Sequence, residues 1–197
     1  MRSIIKKIAE SLDDSITRHF VKWLWPQYKR PRKGYMKNYQ VLQQYFWGQK
    51  FLRINGSVPW PVDFRSKIVD WPNIEKGICC DPGDNPGIYI NASGGLKLGK
   101  NVNIGQNTIL TTTNHYKYDH RKKSRMKGIT IGDNVWIGAN VSIVAGSHIG
   151  DNVTIGAGCF IKGEIPSNTT LILDEKTLTI IPKFKPYEWD CTQDELG

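Results

Sequence analysis

Between residues 129 and 161 the apolar positions obey one rule. Ile131, Ile137, Ile143, Ile149, Ile155 and Ile161 stand six residues apart, and two residues before each comes Ile129, Val135, Val141, Ser147, Val153 or Cys159. The same phase runs upstream through Leu96/Leu98, Val102/Ile104 and Thr108/Leu110. A six-residue period is foreign to an α-helix, whose apolar stripe recurs every ~3.6 residues, and a hairpin sandwich would not hold this register. It predicts short strands with two inward positions, each followed by a tight corner. Gly and Asn occupy those corners, as in Gly132-Asp133-Asn134, Gly138-Ala139-Asn140, Gly150-Asp151-Asn152 and Gly156-Ala157-Gly158. These are the residues that tolerate the positive φ a corner between short strands demands. Three six-residue units make one coil, and stacked coils bury a prism of Ile and Val while each strand pairs with the coils above and below. The predicted fold is all-β, a parallel β-helix.

A different period governs the start of the chain. Ile4, Ile8, Leu12, Ile16, Phe20 and Leu24 recur every four positions, predicting one amphipathic helix over residues 3–25. Pro26 and Pro31 break it, and Lys29, Arg30, Arg32 and Lys33 form a basic connector. Residues 40–75 are rich in aromatic residues and proline, and Arg53–Pro61 is predicted to be an extended segment containing a turn. The expected organisation is a basic amphipathic helix and connector over 1–37, an extended lead-in over 38–84, the β-helix over 85–170 and a C-terminal extension over 171–197.

The repeat is interrupted once. The separation of Leu110 and Ile131 is not a multiple of six, so residues 111–128 protrude. This stretch is polar and basic, lacks the Ile/Val pattern, and contains Asn114, His115, Asp119 and His120. A regular scaffold broken by a single polar loop is where function is sought. His148 and His19, by contrast, fall in a repeat corner and on the N-terminal helix, where nothing ties them to a site.

Charge alters the picture at one end. Residues 1–37 hold ten Lys/Arg against three Asp/Glu, whereas residues 38–197 hold 17 against 15, so +7 of the net +9 lies at the N-terminus. A uniformly basic fold would suggest nucleic acid; this asymmetry suggests a neutral body with a cationic arm, suited to a membrane surface or an anionic polymer. The four cysteines, at 79, 80, 159 and 191, match neither a disulfide framework nor zinc-ligand spacing. Charges interrupt the first apolar residues too early for a secretory segment, and no run approaches the length of a membrane span. The expected location is the cytoplasm, peripheral to the inner membrane face.

The segment Ile131-Gly-Asp-Asn-Val-Trp-Ile-Gly-Ala-Asn-Val141 resembles the signature of the hexapeptide-repeat acyltransferases, the galactoside and maltose O-acetyltransferases among them. The resemblance covers roughly residues 85–166, and Asn55–Pro61 is similar to a segment of surface-polysaccharide acetyltransferases. It implies coils that are left-handed, a homotrimer, acetyl-CoA as co-substrate with no metal required, and a carbohydrate acceptor, an anionic polysaccharide included. His115 is the position matching the family's catalytic base, with Asn114, Asp119 and His120 as neighbours able to meet the acceptor or orient the imidazole. The chemistry fits: a sugar hydroxyl is a poor nucleophile, histidine supplies a base suited to neutral pH, and a thioester releases its thiolate unaided. Trp136, Gly138, Ala139, Ala157 and Gly158 match the turns that hold the pantetheine arm, and Lys162 is placed to meet a CoA phosphate. The family's usual C-terminal Pro-Ala-Lys/Arg stretch is replaced by Leu171–Lys183, leaving Lys176 and Lys183 as substitutes.

Three other functions remain open. A γ-type carbonic anhydrase shares the fold, and His115 and His120 offer a pair, but the third histidine expected two coils upstream is absent, since residues 79–80 are cysteines. An acetyltransferase for amino sugars or antibiotics keeps the chemistry with another acceptor. A non-catalytic scaffold would make the loop a binding element only.

Overall fold

The computed structural model describes residues 10–29, 36–124 and 126–173. From residue 67 to residue 171 the chain winds as a coil whose short strands stack into three parallel sheets. Face one comprises β1 (Lys67–Val69), β3 (Tyr89–Asn91), β6 (Ile109–Thr111), β11 (Ser142–Val144) and β14 (Phe160–Ile161), hydrogen-bonded in that order. Face two runs β2 (Ile74–Lys76), β4 (Leu96–Leu98), β9 (Ile129–Ile131), β12 (His148–Ile149) and β15 (Glu164–Ile165). Face three runs β5 (Asn103–Ile104), β10 (Trp136–Ile137), β13 (Thr154–Ile155) and β16 (Thr170–Leu171). A hairpin of β7 (His115–Tyr116) and β8 (Asp119–Lys123) stands outside the three faces.

Register confirms the six-residue rule where the repeat is regular: Trp136 pairs with Thr154, and Ser142 with Phe160. The alternating positions Ile131, Ile137, Ile143, Ile149, Ile155 and Ile161 all face a common interior and are at most 3% exposed. Burying each such side chain contributes about 1.5–3 kcal/mol. Polar residues at inward positions are satisfied by the corners. Thr108 Oγ1 donates to the Gly138 carbonyl at 3.0 Å, and Ser147 Oγ to that of Val144 at 2.7 Å.

The corners form columns along the prism edges. Asn134 (φ 56°) stacks beside Asn152 (φ 54°) in the left-handed region, and each bonds its outer neighbour in the column, Asn101 Nδ2 donating to Asn134 Oδ1 at 2.9 Å and Asn152 Nδ2 to Asn168 Oδ1 at 2.8 Å. At the next edge the close approach of backbones requires glycine: a Cβ on Gly138 would lie 2.6 Å from the Ala157 nitrogen.

The early chain departs from expectation. The coil begins at residue 67 rather than 85, because Ile68 pairs with Ile90, a step that is not a multiple of six and that a six-residue period therefore misses. Residues 38–51, expected to be extended, are helical: α2 is the helix Asn38–Tyr45, continuing as a π-helical stretch Phe46–Phe51. Its first amides are capped from elsewhere, Asn38 N and Tyr39 N donating to the Asp13 carboxylate at 3.0 and 2.8 Å. Locally, Gln40 accepts from the Lys37 main-chain N–H at 2.8 Å, but Lys37 offers no side-chain acceptor to the amides that follow, so the distant Asp13 supplies it.

Helix α1 spans residues 10–24, with a π-helical turn Asp13–Thr17 before the α-helical Arg18–Leu24; residues 3–9 of the expected helix lie outside the described residues. Its buried side is Asp13, Val21 and Trp25, whereas Leu12, Ile16 and Phe20 of the predicted stripe are 50%, 65% and 44% exposed. Drawing Asp13 inward as a cap turns the helix by one position, about 100°, and rotates the stripe outward. Trp25 Nε1 donates to Gln49 Oε1 at 2.8 Å, and the Gln49 amide donates to the Trp60 carbonyl at 2.9 Å, joining the helices to the coil. Lys76 completes the joint, its ammonium bonding the Gln27 carbonyl at 2.9 Å and the Asp81 carboxylate at 3.1 Å.

Candidate active site

Among the described residues, the one large departure from the coil occurs at the edge between faces one and two. Leu98 pairs with Ile131, and the chain between them is nearly twice as long as the regular turn that joins Ile137 to its partner Ile155. The additional residues leave after β6 and return at β9. The exit is pinned by Thr112, which is fully buried: its Oγ1 donates to the Asn91 carbonyl at 2.8 Å and accepts from Gly94 N at 2.7 Å. Its own carbonyl accepts from Lys127 N at 3.2 Å, closing the base of the excursion. Above that base, Ser124 N donates to the Asn114 carbonyl at 2.8 Å.

His115 opens β7 at the foot of the hairpin and is exposed. Its main-chain N–H donates to Asn114 Oδ1 at 2.9 Å, an Asx contact that fixes the entry angle. Across the hairpin, His115 Nδ1 meets the main-chain carbonyl oxygen of His120. A carbonyl oxygen accepts only, so this contact selects the tautomer with the proton on Nδ1 and leaves Nε2 as an acceptor. The imidazole of His120 lies 6.3 Å from that of His115, ring centre to ring centre.

Asp119 does not orient His115. Its carboxylate, 2% exposed, accepts from Arg121 Nε at 3.1 Å and Nη2 at 3.2 Å, from the Arg121 main-chain N–H, and from Lys122 Nζ at 3.3 Å. The Arg121 guanidinium, helped by that amide and by Lys122, holds the carboxyl well below the ordinary 3.8, at about 2, against the opposing effect of burial. The group is therefore a brace for the loop. Tyr116 and Tyr118 meet edge to face at 5.7 Å on the same hairpin, and sequence reasoning singled out neither. One coil below the loop, on the same edge, Ser93 Oγ bonds both the Asp70 carboxylate and Asn91 Oδ1. No sequence signal marked these three polar residues; the left-handed backbone of Asp70 (φ 57°) becomes visible only in the fold.

The residues expected to meet CoA divide between two edges. Trp136, 54% exposed, flanks the edge between faces three and one, where Gly138 and Ala139 form one turn and Ala157 and Gly158 the next. The two turns touch, Gly158 N donating to the Ala139 carbonyl at 2.9 Å. Lys162 follows β14 and lies exposed on the same edge as His115, two coils above the loop. Lys176 and Lys183 lie outside the described residues. Among the described residues no three His, Cys, Asp or Glu side chains converge as a metal site.

Parts of the chain are similar to known proteins. Residues 128–163 match the family "Bacterial transferase hexapeptide (six repeats)". The chain is 46% identical over 76 residues to galactoside O-acetyltransferase of Escherichia coli (strain K12), covering 37% of each protein. It is 32% identical over 107 residues to the bifunctional protein GlmU of Acetivibrio thermocellus, covering 54% of this chain and 21% of that protein. The chain thus spans well under half the length of these curated relatives. Among solved structures, a galactoside acetyltransferase in complex with coenzyme A aligns with a TM-score of 0.49 at 23% identity, covering 78% of this chain and 74% of that one. A hexapeptide-repeat acetyltransferase from Vibrio cholerae in complex with acetyl-coenzyme A aligns with a TM-score of 0.44 at 24% identity, covering 54% and 62%. The stretch that begins where the hairpin returns to the coil, residues 128–163, is thus similar to the repeats of bacterial hexapeptide transferases.

Proposed function

We propose that the protein transfers the acetyl group of acetyl-CoA to a carbohydrate hydroxyl, with His115 as general base. The observation that carries this reading is the His115 Nδ1 contact with the His120 carbonyl, which leaves Nε2 as the accepting nitrogen of the ring. In this mechanism Nε2 takes the hydroxyl proton as the oxygen attacks the thioester carbonyl, a main-chain N–H stabilises the oxyanion, and the C–S bond breaks to release the CoA thiolate. The relationship to galactoside O-acetyltransferase supports a sugar acceptor, and the tyrosines of the hairpin supply ring faces that suit one.

The coil is left-handed in this reading, as the resemblance of Ile131–Val141 implies. The assembly is a homotrimer. The loop and the Gly138 and Ala157 turns occupy different edges of one prism, so a site using both is completed by the neighbouring copy. The acceptor is a surface polysaccharide or its precursor, and the reaction takes place at the cytoplasmic membrane face. Labelled acetyl-CoA incubated with sialylated, aminosugar and neutral oligosaccharides tests this: label retained on a sugar in an alkali-labile ester is expected. Label on an amine would replace the acceptor class, and no transfer to any carbohydrate would overturn the reading.

A further inference from the structure

The two N-terminal helices carry an aromatic surface that the chain leaves uncovered. Trp23, Trp47 and Phe51 are 73%, 62% and 66% exposed. They form one continuous strip rather than scattered residues. Phe20 stacks on Trp23 at 5.7 Å between ring centres and meets Phe46 at 6.5 Å; Phe46 meets Trp47 at 5.6 Å, and Trp47 meets Phe51 at 5.5 Å. The helix turned by Asp13 adds Leu12 and Ile16 to the solvent side of α1. A contiguous apolar strip of this kind marks an interaction surface.

Charge selects the occupant. Phe20 and Trp23 lie within residues 1–37, whose sequence holds the +7 excess, and over the described residues 10–29 and 36–53 six Lys/Arg stand against three Asp/Glu, with Lys22, Lys29 and Arg53 exposed. Two of those acids are engaged internally: Glu10 pairs with Lys37 at 3.1 Å, and Asp13 is buried as the cap of α2. A second copy docking strip to strip would bring two such cationic segments together, whereas an anionic surface complements them. The residue types agree, because Trp and Phe on a surface helix flanked by Lys and Arg enter the headgroup region of a bilayer. Trp136 and Phe160, exposed apolar residues of the prism, lie on strands of its faces three and one and have no ring contact with the strip.

We propose that this strip is a docking surface for an anionic lipid membrane, with Phe20, Trp23, Trp47 and Phe51 seated among the headgroups and the basic residues against lipid charge. No helix of the described residues is long and apolar enough to cross a bilayer, so the attachment is one of a helix pair lying on the surface.

The full chain is tested by co-sedimentation with phosphatidylcholine vesicles containing or lacking phosphatidylglycerol, at low and high salt. Binding is expected only to the anionic vesicles, and it weakens as salt rises. The triple variant W23S/W47S/F51S is expected to lose about tenfold or more in affinity, while its solution mass and its acetyl transfer to a soluble acceptor match the wild type. Independently of any variant, brominated lipid is expected to quench wild-type tryptophan fluorescence. Wild-type protein that ignores anionic vesicles, a triple variant that binds them equally well, or an absence of quenching would each overturn the proposal. A triple variant with a smaller solution mass would assign the strip to a second copy and overturn it as well.

Discussion

The Nδ1 atom of His115 is held by the main-chain carbonyl of His120, on the opposite strand of the same hairpin. Orientation of the proposed base thus comes from backbone, and the histidine that follows on the returning strand contributes its carbonyl rather than its imidazole.

The two histidines should therefore behave differently. His115→Ala is expected to lower kcat by roughly 10²–10⁴ with CoA affinity changed no more than a few-fold, since the imidazole acts on the acceptor. His120→Ala, which keeps the carbonyl, is expected to stay within a few-fold of wild type. Steady-state kinetics and CoA titration of both variants check this. Equal loss in the two variants, mimicked by a chelator, would point to zinc chemistry; full activity in His115→Ala would remove the base.

Asp119 gives the hairpin a pH dependence of predictable sign. Its folded-state pKa, about 2, lies below the ordinary 3.8. The ionised form is therefore favoured by folding, and its stabilising effect is present above roughly pH 4 and lost as the pH falls through about 2. A carboxyl NMR titration should place the Asp119 midpoint near 2, and Asp119→Asn should loosen the hairpin at neutral pH while abolishing its acid transition. A midpoint at or above 3.8 would show that Arg121 does not hold the group.

At Gly138 the coil allows no side chain. An added Cβ would lie 2.6 Å from Ala157 N, 2.9 Å from the Ile155 oxygen and 3.0 Å from Ala157 Cα, all backbone atoms that have no rotamer by which to yield. Gly138→Ala should force the coils apart locally and lower stability by about 1–3 kcal/mol. Thermal unfolding reads the effect, and an unchanged Tm would contradict the spacing of these turns.

The middle of the fold was legible because the period is a direct consequence of packing: Ile137, Ile143 and Ile149 recur every six residues since each closes one side of the same prism. The loop was legible for the complementary reason, as a break in that count. The first coil was not, because the steps from Ile68 to Ile90 and from Ile90 to Leu110 differ in length and neither is a multiple of six. The orientation of α1 was hidden too. A four-residue stripe identifies an amphipathic helix, but Asp13 is drawn inward by the amides of Asn38 and Tyr39, 25 and 26 residues away, which no local pattern encodes. Within the site, the position of His115 followed from the loop, while its hydrogen-bond partner depended on hairpin register. Asp119 stood near in sequence, but Arg121 and Lys122 compete for it more effectively than an imidazole across the hairpin.

The long step between Leu98 and Ile131 bears on how the chain folds and changes over time. A coil can form once its two ends meet, and the entropy of that closure grows only with the logarithm of the length enclosed. Nearly doubling that length costs about 0.5 kcal/mol more, because β9 still finds β4 in the register that the other coils use. Each coil interacts only with its neighbours, so this small penalty is not passed along the stack. The hairpin can accordingly be lengthened, shortened or exchanged at that edge with little effect on the rest of the chain, which makes the part of the protein proposed to face the acceptor the part whose sequence is least constrained by folding.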